Sequence, residues 1–181
     1  MRLEPLRREH AAALLAAAQD EDLWTWLSHD LRALPTLERW IDEALRAQER
    51  GDEFPFAVIW KADGGAIGST RYMDVQPAHR GVEIGWTWYA REHHGGVVNP
   101  EAKYLLLHHA FEDRGAIRVC LKTDAKNVRS QHAITKLGAR YEGTLRNHRV
   151  RRDGTYRDTA MFSIVASEWP EVKRALERRI V

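Results

Sequence analysis

The chain has 181 residues, with 28 Lys and Arg against 26 Asp and Glu, a formal net charge of +2, and 44% hydrophobic residues. This composition is typical of a folded globular protein and excludes a disordered one, and the small net charge gives no reason to expect a nucleic-acid partner. No apolar run reaches the roughly 18 residues that cross a bilayer, and residues 1–5 do not resemble a signal peptide, so we expect a cytoplasmic protein without a membrane partner.

Hydrophobic periodicity and the positions of Gly and Pro predict the elements in chain order. Helices are expected at residues 9–19, 36–50, 99–112, 128–137 and 167–178, and strands at 54–60, 66–75, 82–89, 116–123, 140–150 and 156–165. Gly138 is expected to end the fourth helix, and Ser167 to cap the fifth, with Pro170 in its first turn. The order predicts one mixed α/β domain spanning residues 1–181, without regular βαβ alternation.

The single cysteine, Cys120, excludes an internal disulfide and a Cys-rich zinc site. The pairs His93–His94 and His108–His109 lack the spacing of a zinc site, so we expect no metal.

Seven tryptophans are many for this length. Trp24, Trp26 and Trp40 fit the walls of an acceptor pocket, although core packing is the default for such side chains. A group of arginines around the last hairpin favours a solvated tip over a nucleic-acid surface. Its members are Arg146, Arg149, Arg151, Arg152 and Arg157.

Gly95 and Gly96 lie just before the third predicted helix. The first turn of a helix has free backbone N–H groups and a positive dipole end, which together bind phosphate well. Many helices follow Gly-Gly without binding anything, so this pattern alone fits a plain turn at least as well.

The predicted strand at 82–89 has one apolar face, which we expect to pack in the core. Its residues are Val82, Ile84, Trp86 and Trp88. The other face is small and polar around one carboxylate, that of Glu83. Such a carboxylate can act as a general base. The alternative is that Glu83 points to solvent or pairs with an arginine.

From residue 3 to residue 172 the chain resembles the GNAT N-acetyltransferases, in particular the branch of the bacterial ribosomal-protein N-terminal acetyltransferases. Four segments carry the resemblance: Gly-Ser-Thr-Arg-Tyr (68–72), Val-Glu-Ile-Gly-Trp-Thr (82–87), Val-Asn-Pro-Glu-Ala-Lys (98–103), and the run from Leu-Lys-Thr-Asp to Lys-Leu-Gly-Ala (121–139). The resemblance implies a twisted, mostly antiparallel sheet flanked by helices, with two parallel central strands that splay apart to admit the cofactor.

The resemblance also implies acetyl-CoA as the acetyl donor, bound through its pyrophosphate by the loop before the third helix. Two positions depart from the family pattern, Glu92 at a Gln/Arg position and Val97 at a small one, and Arg91 replaces the missing charge only loosely. Backbone N–H groups do not depend on side-chain identity, so the loop is still expected to hold phosphate. The residues expected to do so are Gly95, Gly96, Val97, Val98 and Asn99, with Lys103 either reaching a phosphate or lying on a solvated helix face.

Four residues are assigned to the reaction by the resemblance. Asn127 would bond the pantetheine arm, or serve only as an N-cap, and Ser130 would protonate the departing thiolate. Glu83 would be the base, and a backbone N–H near Trp88 would bind the oxyanion.

The acceptor implied is a primary amine, which the branch suggests is a protein N-terminus, while relatives also acetylate small amines and antibiotics. A non-catalytic acyl-CoA sensor is an alternative from another class, and a Rossmann nucleotide-binding module is disfavoured because no Gly-x-Gly-x-x-Gly follows an early strand. A homodimer is the default expectation for a soluble enzyme.

Overall fold

The computed structural model describes residues 1–180. The strands within this range are β1 (Arg2–Pro5), β2 (Phe54–Ile59), β3 (Ala66–Gln76), β4 (Gly81–Tyr89), β5 (Arg118–Asp124), β6 (Arg140–Val150) and β7 (Tyr156–Val165). The α-helices are α1 (Ala11–Ala17), α2 (Leu34–Glu49), α3 (Val98–His108), α4 (Val128–Lys136) and α5 (Trp169–Ile180), and a π-helical turn, His109–Asp113, follows α3.

The strands form a sheet of hydrogen-bonded neighbours in the order β1-β2-β3-β4-β5-β7-β6. β1–β2, β2–β3, β5–β7 and β6–β7 are antiparallel, while β4–β5 is parallel. The predicted class, a mixed and mostly antiparallel sheet flanked by helices, is therefore confirmed.

The chain divides into two compact units. One comprises residues 1–75 and 84–102, and the other comprises residues 76–83 and 103–181, of which the last is not described. The prediction that residues 1–181 act as a single domain stays a prediction.

In the first unit, α2 packs an apolar face into a core built around tryptophans. Trp24 is fully buried, and Trp40 and Trp88 are nearly so. The backbones of β3 and β4 approach closely at Gly68, where a Cβ atom would lie 2.2 Å from the carbonyl oxygen of Trp88. Only glycine fits there, which explains why one of the four family-like segments begins at this residue.

In the second unit, β5 and β7 contribute the central apolar side chains, including Val119 and Ile164, which are fully buried. Leu176 of α5 is also fully buried. Gly138 has φ +98°, and a Cβ there would lie 2.8 Å from Val172 Cγ2. The prediction that Gly138 ends α4 is confirmed, because the left-handed conformation and the close contact both favour glycine.

The predicted helices and strands are present, with most bounds shifted by one to three residues. β1 is absent from the prediction, because four residues are too short a run to show a period. The predicted cap Ser167 is wrong: α5 begins at Trp169, so Glu168 precedes it and Ser167 lies in the turn before it. Pro170 is in the first turn as expected.

Candidate active site

The parallel pairing of β4 and β5 covers only three residue pairs, Gly81–Arg118, Val82–Val119 and Glu83–Cys120. Both strands continue beyond the last pair, β4 to Tyr89 and β5 to Asp124. The hydrogen-bonded ladder thus ends at Glu83.

The carboxylate of Glu83 is buried, with a side-chain exposure of 5%, and its Oε2 accepts a hydrogen bond from Lys122 Nζ at 2.6 Å. Glu83 is therefore not exposed to solvent. The expected alternative of an ion pair is present, with a lysine in place of the arginine. A buried charge is stable only when it is paired, so Lys122 keeps this carboxylate in place. An amine bound at Glu83 would compete with an ammonium group that is already there.

Three buried polar atoms of the second unit have no hydrogen-bond partner: His148 Nδ1, Arg157 Nε and Thr159 Oγ1. Burial and three nearby cations, Arg149, Lys122 and Arg157, lower the pKa of His148. Burial also lowers the pKa of Arg157, while the charges of Asp124 and Glu83 oppose that shift. A buried group without a partner costs free energy, so this cluster is suited to a ligand that brings hydrogen-bond acceptors.

The arginines around the last hairpin are not uniformly solvated, contrary to the expectation. Arg151 donates from Nε to Asp124 Oδ2 at 2.7 Å, and its side chain is only 16% exposed. Arg157 is half-buried. Arg146 lines an open cleft of about 610 Å³ together with Asn147 and Asp158.

Asn127 precedes the first turn of α4, and its Oδ1 accepts a hydrogen bond from the backbone N–H of Ser130 at 3.0 Å. The N-cap role is therefore present. This cap uses only the side-chain oxygen of Asn127. The side-chain NH2 group is a separate donor and takes no part in the cap. Both residues are half-buried, so the Asn127 amide and the Ser130 hydroxyl lie near solvent.

The loop Gly95–Gly96–Val97 leads into α3, which begins at Val98, one residue before the expected start. Val98 is 2% exposed and packs in an apolar cluster that includes Val58 and Ile67. Val97 is 44% exposed, so its side chain points away from the core. Since Pro100 has no N–H, the donors of the first turn come from Val97, Val98 and Asn99.

Side chains near this loop are already engaged. Arg91 donates to both Asp20 and Asp22, at 3.0 and 2.8 Å, so it does not supply the charge missing at position 92. Asn99 Oδ1 accepts from the Tyr89 hydroxyl at 3.3 Å, which leaves the backbone N–H of Asn99 for a ligand.

Lys103 is 4% exposed, so the alternative of a solvated helix face is wrong. Burial lowers the pKa of its ammonium group to about 7. An anion placed near this side chain would restore its charge.

Trp88 is 4% exposed, and its indole packs edge-on against Trp24 at 5.1 Å between ring centroids. The indole is therefore part of the core, although its Nε1 has no hydrogen-bond partner, and the expected oxyanion donor is the backbone N–H. Two residues earlier, Trp86 has φ +50°, which interrupts the regular alternation expected for this strand. For a bulky residue that conformation costs about 1–3 kcal/mol and persists only where its surroundings impose it.

Residues 1–180 contain no group of three or more His, Cys, Asp or Glu side chains placed to hold a metal ion. His94 Nε2 lies 2.9 Å from the carbonyl oxygen of Tyr89, and His109 pairs with Asp113 at 2.8 Å. Over the same range, no helix combines the length and apolar character needed to cross a membrane.

Sequence reasoning missed Lys122 as the partner of Glu83, and it missed the unpartnered polar atoms of Arg157 and Thr159. The strand pattern could have indicated Lys122, because it lies two residues beyond Cys120 and so on the same face of β5. The other two depend on the register of β7 against β5, in which Thr159 lies opposite Asp124. That register is set by long-range pairing and leaves no local signal.

Comparison with known proteins identifies the class. Residues 1–140 match the family described as acetyltransferase (GNAT) domain. A GCN5-related N-acetyltransferase from Brucella melitensis is 34% identical, with a TM-score of 0.92 over 99% of this chain and 82% of that one. RimJ from Mycobacterium smegmatis, solved in complex with CoA-disulfide, is 25% identical, with a TM-score of 0.82 over 97% of this chain and 87% of that one.

A variant of the spermidine N-acetyltransferase SpeG from Vibrio cholerae shares the fold, at 19% identity and a TM-score of 0.72 over 93% of this chain and 97% of that one. No curated protein sequence matches this chain. The chain belongs to the GNAT acetyltransferases. It is an N-acetyltransferase that uses acetyl-CoA as its co-substrate, and the similarity to RimJ agrees with the branch expected from the sequence.

Proposed function

We propose that this enzyme transfers the acetyl group of acetyl-CoA to a primary amine, and that the amine is the N-terminus of a protein. The observation that carries the proposal is the buried carboxylate of Glu83 at the last residue pair between β4 and β5. Lys122 occupies the Oε2 atom of this carboxylate, so the proposed acceptor of the proton from the attacking amine is its other oxygen, Oε1.

The reaction needs one proton to move from the amine to the leaving sulfur. The neutral amine nitrogen attacks the thioester carbonyl carbon, and the carbon–sulfur bond breaks as the amide forms. Glu83 accepts the proton that the amine loses, directly or through a water molecule, and Ser130 donates a proton to the thiolate. Ser130 then regains a proton from solvent and Glu83 releases one to solvent, so that one proton has moved overall from the amine to the sulfur. A backbone N–H of β4 near Trp88 stabilises the oxyanion of the tetrahedral intermediate.

The cofactor is held by backbone groups more than by side chains in this proposal. The N–H groups of Val97, Val98 and Asn99 face the pyrophosphate, where the α3 dipole favours negative charge. The exposed side chain of Val97 supports this role, because it points away from the core and need not fill the loop. The amide of Asn127 donates to the pantetheine arm, and Lys103 balances phosphate charge.

Two unpartnered donors of the second unit support an acceptor with a carbonyl oxygen beside its amine. Arg157 Nε and Thr159 Oγ1 are buried donors without acceptors. A peptide N-terminus brings such an oxygen at its first peptide bond, whereas a polyamine has none. The similarity to RimJ also supports a protein N-terminus as the acceptor.

The test is an assay of thiol release with peptides, spermidine and an aminoglycoside in parallel. We expect release with a peptide whose α-amine is free. A matched peptide with a blocked N-terminus and an internal lysine should give none, which separates the α-amine from a side-chain amine. Release with spermidine or the aminoglycoside alone would transfer the proposal to a small-amine acceptor.

We further propose that residues 1–181 act as one domain and assemble as a homodimer. Exposed apolar side chains on β6 and β7 support an interface there, including Tyr141 at 57%, Leu145 at 46%, Val150 at 65% and Tyr156 at 66%. Light scattering should give twice the chain mass, and Leu145→Asp should lower it. A monomer at micromolar concentration would contradict the dimer, and two separate unfolding transitions would contradict the single domain.

A further inference from the structure

Trp86, the left-handed residue of β4, packs against a buried cation. The guanidinium carbon of Arg71 lies 5.2 Å from the centroid of the Trp86 ring, over its face, and 4.7 Å from that of Trp40. The two indoles contact each other edge-on at 6.0 Å, and His29 packs on Trp86 at 5.6 Å. The indole of Trp86 is thus fixed by its neighbours in the first unit.

Trp86 is unusual among the residues with this backbone conformation. Within residues 1–180, the non-glycine residues with positive φ are Asp74, Arg80, Trp86 and Asn147. Asp and Asn tolerate the left-handed region because their short polar side chains bond locally, but an aromatic residue has no such compensation. The conformation of Trp86 therefore depends on its side-chain contacts.

Burying the guanidinium group of Arg71 in the core costs free energy. It is 4% exposed and pairs with Glu53 Oε2 at 2.5 Å, yet its Nε and Nη2 atoms have no hydrogen-bond partner. An apolar side chain of similar volume is often as stabilising as a buried ion pair. A planar cation makes a directional contact with the faces of both indole rings, which an apolar side chain cannot make.

We propose that Arg71 is a positioning residue: by holding the Trp86 indole against Trp40, it fixes the left-handed turn of β4 and thereby aims a backbone N–H of β4 near Trp88 at the acetyl thioester. The inference rests on the proposed function, in which the backbone of β4 binds the oxyanion. Catalysis is sensitive to such placement, because a displacement of about 1 Å can cost on the order of 10²-fold in rate.

The test compares Trp86→Ala with Trp86→Gly. Both variants lose the indole, but only glycine occupies the left-handed region without cost. We expect Trp86→Ala to lower kcat by about 10²-fold, and Trp86→Gly to retain at least ten times the kcat of Trp86→Ala. Equal kcat values in the two variants would overturn the proposal.

Arg71 itself is tested with Arg71→Lys and Arg71→Met. Lysine keeps a cation for Glu53 but has no planar face, so we expect kcat to fall while the CoA-induced rise in Tm is unchanged. In the Trp86→Gly background, Arg71→Met should lower kcat no further. A lower Tm with unchanged kcat in Arg71→Lys would make Arg71 a purely structural residue and overturn the proposal, as would a further kcat loss in the double variant.

Failure of the proposed function has a different signature. It would be seen in the unsubstituted protein, as the absence of thiol release with any amine. Failure of the positioning role would leave that activity intact and change only the pattern among the variants.

Discussion

Asn127 Oδ1 accepts a hydrogen bond from the backbone N–H of Ser130, so the two residues assigned to the cofactor arm and the leaving group are joined at the first turn of one helix. The cap fixes the start of α4 and, with it, the position of the Ser130 hydroxyl. The oxygen of Asn127 is therefore structural, and its amide nitrogen is the group proposed to bond the pantetheine.

Substitutions at Asn127 separate these two roles. Asn127→Asp keeps a capping oxygen but loses the amide donor, so we expect weaker acetyl-CoA binding with little loss of Tm. Asn127→Ala loses both and should also destabilise the protein by about 0.5–2 kcal/mol. Isothermal titration and thermal unfolding measure the two effects. Full acetyl-CoA affinity in Asn127→Asp would leave Asn127 as a cap only.

Ser130→Ala should lower kcat by about 10²- to 10⁴-fold, the usual contribution of a positioned acid. The affinity for acetyl-CoA should change little, because the proton is transferred only as the thiolate leaves. Ser130→Thr keeps a hydroxyl and should recover part of the rate. A kcat for Ser130→Ala within a factor of two of the unsubstituted enzyme would show that the thiolate takes its proton from elsewhere.

Glu83→Gln tests the base and keeps its contact with Lys122, since the amide oxygen still accepts from the ammonium group. We expect kcat to fall by about 10²- to 10⁴-fold and the acid limb of the pH profile to disappear, because the group that ionises has been removed. Lys122→Arg is the matched control, which keeps both the carboxylate and a cation beside it. It should retain the acid limb. A pH profile of Glu83→Gln that matches the unsubstituted enzyme would exclude Glu83 as the base.

Lys103 should make stability depend on pH in a defined window. Its pKa is about 7 in the folded protein against 10.5 for an unperturbed lysine. Between these values the unfolded state binds more protons, so the free energy of unfolding should rise with pH from about 7 to about 10.5. Below pH 7 both states are protonated, and the cost of burial is present in full. Chemical denaturation should show this rise, and Lys103→Met should remove it.

The same residue should take up a proton when acetyl-CoA binds. At pH 8 the Lys103 amine is mostly neutral, and a nearby phosphate would raise its pKa again. Titrations in buffers of different ionisation enthalpy measure that uptake, with Lys103→Met as the control. Uptake of the same size in both proteins would place Lys103 away from the cofactor.

Local pattern was sufficient to predict most of the fold, because strands and helices of six or more residues show their period directly. The glycines were informative for the same reason: Gly138 is left-handed, and Gly68 allows two backbones to meet. Local pattern did not contain the tertiary contacts between residues that are distant in the sequence. The pairing of Glu83 with Lys122 depends on a parallel register of three residues, and the conformation of Trp86 depends on Arg71 and Trp40, which lie 15 and 46 positions earlier in the printed sequence.

The most direct test of the central claim is mass spectrometry of a peptide incubated with the enzyme and acetyl-CoA. A peptide with a free N-terminus should gain one acetyl group on its α-amine, one CoA thiol should appear for each acetyl group transferred, and Glu83→Gln should slow both together. A peptide that stays unmodified with millimolar acetyl-CoA, while spermidine or an aminoglycoside is acetylated, would contradict the assignment of a protein N-terminus as the acceptor.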